Sequence, residues 1–491
     1  MQNEIMSSSR AGSCPSDSPF KIQHLSLAGG STMDSMIEQL SEYASGLRYE
    51  ALPREAVHEC KRRLIDTLGC ATGAFDARPV EIARDIAQRA VGNPPARILG
   101  TQEPTTPELA AFANGVAMRY LDFNDATFGK SAGHPSDIFA AVIAAADAAR
   151  ADGRTLITAA TLAYEVFCNL AENVMRDQGW DHSVYGVIAS AVGAAKVFGL
   201  KGEQMANAIA LAVIPNMALE QTRTGELSMW KGCAAPNAAR NGVFAAELAR
   251  EGLTGPGEAV EGKWGLWRAL GQFRWQPFGG RGVPFRITGT HIKYFPAVIH
   301  AQTPITVALE LHGKVAADEI EAIAIDTYWV AERYADRRNA LWRPATRETA
   351  DHSIPYCVIA AFLDGGITEA SFSNERIADP RIARLLERTT MREDPAYTKA
   401  HPDEWRCRIE LAGRGGNKQV AEARHFKGHA KRPLSDEEIE KKFQGLARKV
   451  LPPGRIRGIL RKAWALDELP DVGELLALFD YRLQPGDEVT E

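Results

Sequence analysis

The 491-residue sequence predicts a mainly α fold, with a large, discontinuous all-helical domain and a smaller α+β domain inserted into it. Three observations lead there. Apolar residues recur three and four apart from residue 34 to about 275, the helical period. Beyond a glycine- and aromatic-rich bridge at 271–280 the period falls to two at 319–328, as in a strand. Helical periodicity then returns after Pro433.

The first 32 residues are rich in Ser, Gly and Pro and read as a disordered tail, either a dispensable extension or the product of a start codon assigned too early. Helices are expected at 55–74, 80–90, 107–120, 136–151, 155–174, 183–198, 202–213 and 237–251, many rich in alanine, so that neighbours approach closely around a large core. The α+β part has helices at 301–311 and 353–363, and a hairpin whose arms, 406–411 and 419–424, flank the turn Gly413-Arg414-Gly415-Gly416-Asn417. Ser435 is a good N-cap for the first returning helix. The expected divisions are a tail at 1–32, the helical domain at 33–285, the α+β lid at 286–430, and helices at 431–491 that rejoin the first domain.

Composition narrows the function classes. A chain that is 45% hydrophobic and 24% charged is of ordinary soluble type. The formal charge of −5 argues against nucleic acid or an anionic membrane as a partner, so an anionic ligand needs a local basic pocket. The seven cysteines are scattered and never form a CxxC pair, which points to reduced thiols in the cytoplasm. No apolar run approaches the ~20 residues of a membrane span. No HExxH, P-loop, nucleophile elbow or strand-linked GxGxxG occurs, so the reading is chemistry without metal or cofactor.

The most informative segment is 225–247, where Lys231 and Gly232 precede a helix that begins with small residues and Pro236. A flexible approach to a helix start presents an ammonium group and backbone N–H donors to an anion, although the same pattern serves close helix packing. The loop Tyr120 to Asp137 carries Asp122, Asp125, Thr127 and His134, two carboxylates and an imidazole able to share proton transfers. His182 stands just before a helix, where the dipole favours its neutral form. Lys293 and His300 bracket the start of the α+β part, and Asp351-His352-Ser353 precedes one of its helices. The basic run 427–432 reads as solvated surface.

In this order and spacing the segments resemble the 2-methylcitrate dehydratase, or MmgE/PrpD, family over about residues 34 to 485. The carriers are Leu121-Asp122-Phe123-Asn124-Asp125, His134-Pro135-Ser136-Asp137, Asp181-His182, Ser228-Met229-Trp230-Lys231-Gly232 with Asn237-Ala238-Ala239-Arg240-Asn241-Gly242, Phe295-Pro296-Ala297 with His300, Asp351-His352-Ser353 and Gly428-His429. The resemblance implies an active site between helical domain and lid, a homodimer, and catalytic Asp122, His134, His182 and Lys231. In this reading Lys231 and the N–H groups near Gly232 bind carboxylate oxygens, His182 or His134 exchanges a proton, and Asp122 orients or tunes a histidine. Arg223, Arg240 and Lys293 are further carboxylate partners, and His300 and His352 second candidates. Where the family often has Thr directly after the second acidic residue, this chain has Ala126 followed by Thr127. The implied activity is dehydration of 2-methylcitrate or citrate. Alternatives are decarboxylation of cis-aconitate, epimerisation of an amino- or imino-diacid, and a non-catalytic carboxylate-binding homologue.

Overall fold

The first helix, Ser35–Gly46, starts where the periodicity predicts, because Asp34 can cap it. One Asp34 oxygen accepts from Met36 N at 3.0 Å, and the other accepts from the N–H groups of Val260 and Glu261, each at 2.6 Å. This computed structural model describes residues 34–175, 179–334 and 336–482. The tail expected at 1–32 lies outside the described residues. Helix makes up 55% of the structure and strand 10%, so the fold is mainly α.

The principal helices are Arg54–Gly73, Pro107–Tyr120, Phe139–Ala149, Gly153–Asn173, Ser183–Val197, Gly202–Val213 and Ala234–Arg250. Small residues set their spacing. A Cβ on Gly242 would stand 2.5 Å from that of Ser190, so Ala234–Arg250 and Ser183–Val197 meet backbone to backbone. Two short β elements interrupt this helical part: a pairing of 96–97 with 104–105, and a small sheet in which Asp125–Phe128 pairs antiparallel with both 132–133 and 291–292. The second arises because the loop after Tyr120 folds back on itself, and its backbone groups need partners once buried.

The α+β part is built on four strands in the order Thr389–Glu393, Ile320–Thr327, Cys407–Gly413, Lys418–Ala423. The expected strand and hairpin are both present, with Cys407 opposite Ala423. The edge strand Thr389–Glu393 runs parallel to Ile320–Thr327 and carries too little apolar alternation to be read from sequence. Helices Gln302–Leu311 and Ile354–Asp364 pack in this part, with shorter ones such as Pro380–Glu387.

Two hydrophobic cores result. One draws its buried residues from Met36 to Ile292 and again from Leu434 to Phe479; the other runs from Phe295 to Phe426 and includes Ala126. The returning helix Asp436–Ala447 has the Ser435 cap, its hydroxyl accepting from Glu438 N at 3.2 Å. The run 427–432 is not wholly surface. Gly428 takes φ +96°, accessible to glycine, and the turn it makes puts His429 inside, stacked on His291 at 4.3 Å between ring centroids.

Asp436–Ala447 also ties the site together. Lys442 Nζ donates to the carbonyls of Phe123 at 2.7 Å and Lys293 at 2.9 Å, and pairs with buried Asp66 at 2.6 Å. Burial raises the Asp66 pKa while Lys442 opposes the shift. Lys442→Met should therefore cost about 3–5 kcal/mol by stranding a buried carboxylate. The double variant Lys442→Met/Asp66→Asn should recover a large part of that loss in urea unfolding; strictly additive losses would show that the two are not coupled.

Candidate active site

The helix Pro107–Tyr120 ends on a turn that takes Asp122 to φ +48°, a left-handed conformation uncommon outside glycine. The turn brings the Asp122 carboxylate back over the helix terminus, where Arg119 Nη1 donates to Oδ1 at 2.6 Å. Pairing of Asp125 with Ile292 and of Ala126 with His291 then sets Lys293 against the same carboxylate. Lys293 Nζ, fully buried, lies 2.5 Å from Asp122 Oδ1 and 2.7 Å from the Asp122 carbonyl.

Lys231 arrives from the other side on the short 3-10 turn Met229–Gly232. Its Nζ is 3.3 Å from Asp122 Oδ2, 3.3 Å from Asp351 Oδ1 and 3.1 Å from His352 Nδ1. His352 Nε2 in turn lies 3.3 Å from Asp122 Oδ2, and its Nδ1 contacts Asp351 Oδ1. Ser353 caps the following helix, accepting from Tyr356 N at 3.2 Å, which fixes the direction of the Asp351-His352 pair. Asp122, Asp351 and His352 offer three ligand atoms within 4.8 Å of one another, a donor set that suits a cation. The lysine ammonium, within 3.3 Å of all three residues, supplies that cation.

His134 Nδ1 lies 2.6 Å from the carbonyl of Asp125. A carbonyl only accepts, so Nδ1 carries the hydrogen and the lone pair of the neutral ring is on Nε2, 3.8 Å from Asp122 Oδ1. The His182 ring is 5.7 Å from that of His134, centroid to centroid. Arg223 Nε donates to Asp181 Oδ2 at 2.6 Å, and its Nη2 is 3.4 Å from His182 Nε2.

Electrostatics follow from this packing. Burial opposes ionisation of Asp122, but Arg119, Lys293, Lys231 and His352 together hold its pKa well below the carboxylate range. Asp351 is also lowered, against its burial, chiefly by Lys231 and His352. Burial first, then Arg119 and Lys293, puts His134 well below an ordinary histidine, so it is neutral at pH 7. His352 is lowered by burial and by Lys231. Burial brings the Lys293 pKa down to about 8, against the pull of Asp122. Asp137 is pushed up to about 7 by burial, with Arg119 opposing.

The structure thus brings Asp122, His134, Lys231, Lys293 and His352 into one cluster, with His182 and Arg223 alongside. Four expected contributors stand elsewhere or differently engaged. Thr127 pairs with Gly133 in the small sheet, its hydroxyl beside the Cys168 thiol. Arg240 turns along its own helix to Asn241 Oδ1, at 3.1 and 3.0 Å. His300 Nδ1 is 2.6 Å from the Tyr328 hydroxyl, in an aromatic group with Trp405. Beside Gly232, the N–H groups of Lys231 and Cys233 are taken by the carbonyls of Ser228 and Trp230, as the 3-10 turn requires.

Two charged groups beside the cluster escaped sequence reasoning, Arg119 and Arg347, the latter with its Nη1 3.5 Å from Asp351 Oδ2, while Asp351 was named without a role. Arg119 was legible as the residue three before Asp122, the spacing that pairs side chains on one helix face. Asp351 sat within a motif already singled out. Arg347 stands four before Asp351, the other spacing that pairs side chains on a helix, but nothing local signals its contact with Tyr120.

Comparisons with known proteins place both halves of the chain in one family. The MmgE/PrpD N-terminal domain matches residues 38–276 and the MmgE/PrpD C-terminal domain matches 295–466. The chain is 33% identical over 399 residues to a 2-methylcitrate dehydratase of Cupriavidus necator, covering 75% of this chain and 80% of the relative. It is 32% identical to that of Escherichia coli K12 with the same coverage. A human cis-aconitate decarboxylase is 27% identical over 91% of this chain and 95% of its own length. Matched across both of its halves, the chain belongs to the MmgE/PrpD family.

Proposed function

We propose that this chain is a metal- and cofactor-independent lyase for a small di- or tricarboxylate, dehydrating 2-methylcitrate or citrate to the corresponding aconitate-type alkene. The carrying observation is an excess of buried positive charge. Arg119, Lys231, Lys293 and Arg347 converge on two ionised carboxylates, Asp122 and Asp351, beside a neutral histidine. A third carboxyl, Asp137, is only half ionised near pH 7. Such a field favours a polyanion and stabilises further negative charge as it develops.

In the elimination, His134 Nε2 takes the proton from the carbon beside one carboxylate. The electron pair passes through the aci-carboxylate, held by Lys231, and forms the double bond as the β C–O bond breaks. His182 protonates the departing hydroxide to water, and the ionised Asp181 carboxylate, 3.6 Å from its Nδ1, stabilises that ring when it carries charge. Relatives bearing the name 2-methylcitrate dehydratase support this reading. Decarboxylation of cis-aconitate uses the same clamp, and is the second reading because the human relative aligns over nearly the whole chain.

The second core, which contributes His352 and Asp351, acts as a lid in this proposal. Exposed Met217, Leu219, Met229, Trp230 and Phe244 are candidates for the homodimer contact. Sedimentation showing a monomer would contradict the dimer. No helix among the described residues is long and apolar enough to cross a membrane. The cytoplasmic assignment rests on the scattered thiols.

Proton NMR of the enzyme with 2-methylcitrate, citrate, cis-aconitate and a set of diacids in deuterated water tests the reaction. An alkene from the hydroxy acids is the expected result. Itaconate would shift the assignment to a decarboxylase, deuterium uptake without either product to an epimerase, and silence with intact binding to a non-catalytic homologue.

Lys231→Ala should lower turnover by ~10²-fold or more with the fold intact by circular dichroism, the size expected for loss of one electrostatic stabiliser. Near-normal turnover would remove Lys231 from the mechanism. His134→Ala should act in the same way, and an effect on thermal stability alone would restrict this residue to a structural role.

The pH profile follows from the shifted groups. His134, being well below the usual histidine range, stays unprotonated as pH falls through 6.5, so its own protonation should add no acid limb to kcat/KM there. Lys293, with its pKa near 8, should lose its proton above that pH, and kcat/KM should fall with it. An acid limb centred on pH 6.5, or a plateau reaching pH 10, would contradict these assignments.

A further inference from the structure

Arg347 lies against the cluster on the short helix Arg347–Ala350, and three restraints hold its guanidinium plane. The group stacks over the Tyr120 ring at 4.3 Å from the centroid. Its Nη1 donates to the Tyr120 carbonyl at 3.3 Å and lies 3.5 Å from Asp351 Oδ2. Lys231 approaches the other oxygen of the same carboxylate, Asp351 Oδ1, at 3.3 Å. The remaining two nitrogens, Nε and Nη2, are buried and meet no hydrogen-bond acceptor among the described residues.

These two atoms form the side-on edge of the guanidinium, whose parallel N–H groups match the two oxygens of a carboxylate. A buried donor without a partner is destabilising, and here two adjacent donors on a restrained plane share that condition. The neighbours of Arg347 are those of the cluster: Tyr120 ends the helix that leads to Asp122, Gly232 packs against Tyr120, and Nη1 shares the Asp351 carboxylate with Lys231.

We infer that Arg347 binds one carboxylate of the ligand through its Nε–Nη2 edge, while Lys231 holds another, so that the pair selects for a ligand with an additional carboxylate. This rests on the carboxylate reading of the site. It goes beyond that reading by assigning a specificity-determining residue and by predicting discrimination between ligands of different carboxylate number. Arg347 is a binding residue here and moves no proton.

Calorimetric titration of the full chain with propane-1,2,3-tricarboxylate and with glutarate, which lacks the central carboxylate, tests it. Neither contains a hydroxyl group, so neither is turned over by elimination. The wild-type protein should prefer the tricarboxylate. Arg347→Gln should weaken tricarboxylate binding about 10- to 100-fold while changing glutarate binding by less than about threefold, erasing the preference. Arg347→Lys, which keeps the charge and loses the paired edge, should recover only a minor part and provides the answer if the glutamine variant fails to fold.

Equal losses for both ligands would make Arg347 a structural residue and overturn the inference. Unchanged tricarboxylate affinity in folded Arg347→Gln would overturn it as well, with the proposed function intact. Wild-type protein that binds neither acid would defeat the carboxylate reading itself, and this inference with it.

Discussion

A single buried carboxylate, Asp122, organises the molecule. Removing an ion of this size from water costs several kcal/mol, and the cost is offset only where opposite charges and hydrogen bonds close around it. Here they come from separate parts of the chain: Arg119 from its own helix, Lys293 from just after the strand 291–292, Lys231 from a 3-10 turn, and His352 from the segment before the helix Ile354–Asp364. Each is separated in sequence from the others, and together they hold the Asp122 pKa well below the carboxylate range against its burial. The left-handed turn at Asp122 is affordable for the same reason, since the contacts it creates are stronger than the strain of φ +48°.

The arrangement gives the site two properties at once. Positive groups outnumber the ionised acids, so the interior attracts a polyanion. The low-dielectric surroundings then make each remaining donor stronger than it would be in water. The same field keeps His134 unprotonated, since burial and neighbouring cations lower its pKa, and the Asp125 carbonyl fixes its lone pair on Nε2. Under the proposed mechanism, the charges that hold Asp122 also receive the charge that develops on the substrate. Little reorganisation is required during the reaction.

Support for the site comes from an element distant in sequence. Lys442 bonds the backbone carbonyls beside two site residues, Phe123 next to Asp122 and Lys293 itself, while its own charge is answered by Asp66 on the helix Arg54–Gly73. The returning C-terminal helix is therefore part of the scaffold that aims the cluster. Asp351 has a comparable double role, since Lys231 and Arg347 approach its two oxygens from different sides. Within the cluster the His352 side chain is the most exposed, at 22%.

Local patterning determined the helical character, most helix positions, the Ser435 cap and the hairpin at 407–423, because each depends on neighbours in sequence. It also singled out Lys231, His134 and Asp122, which the fold brings into one cluster, since their motifs combine unusual side chains with turns and helix starts. The edge strand Thr389–Glu393 was not legible, as a parallel neighbour rather than its own pattern defines it. Which charges converge was decided only in three dimensions. Arg240 and Lys293 look equivalent as candidate cations, yet helix direction turns one onto Asn241 while strand pairing buries the other against Asp122. Arg347 and Lys442 gain their positions from packing across 200 to 320 residues of chain, through contacts to Tyr120 and Phe123 that no local period encodes.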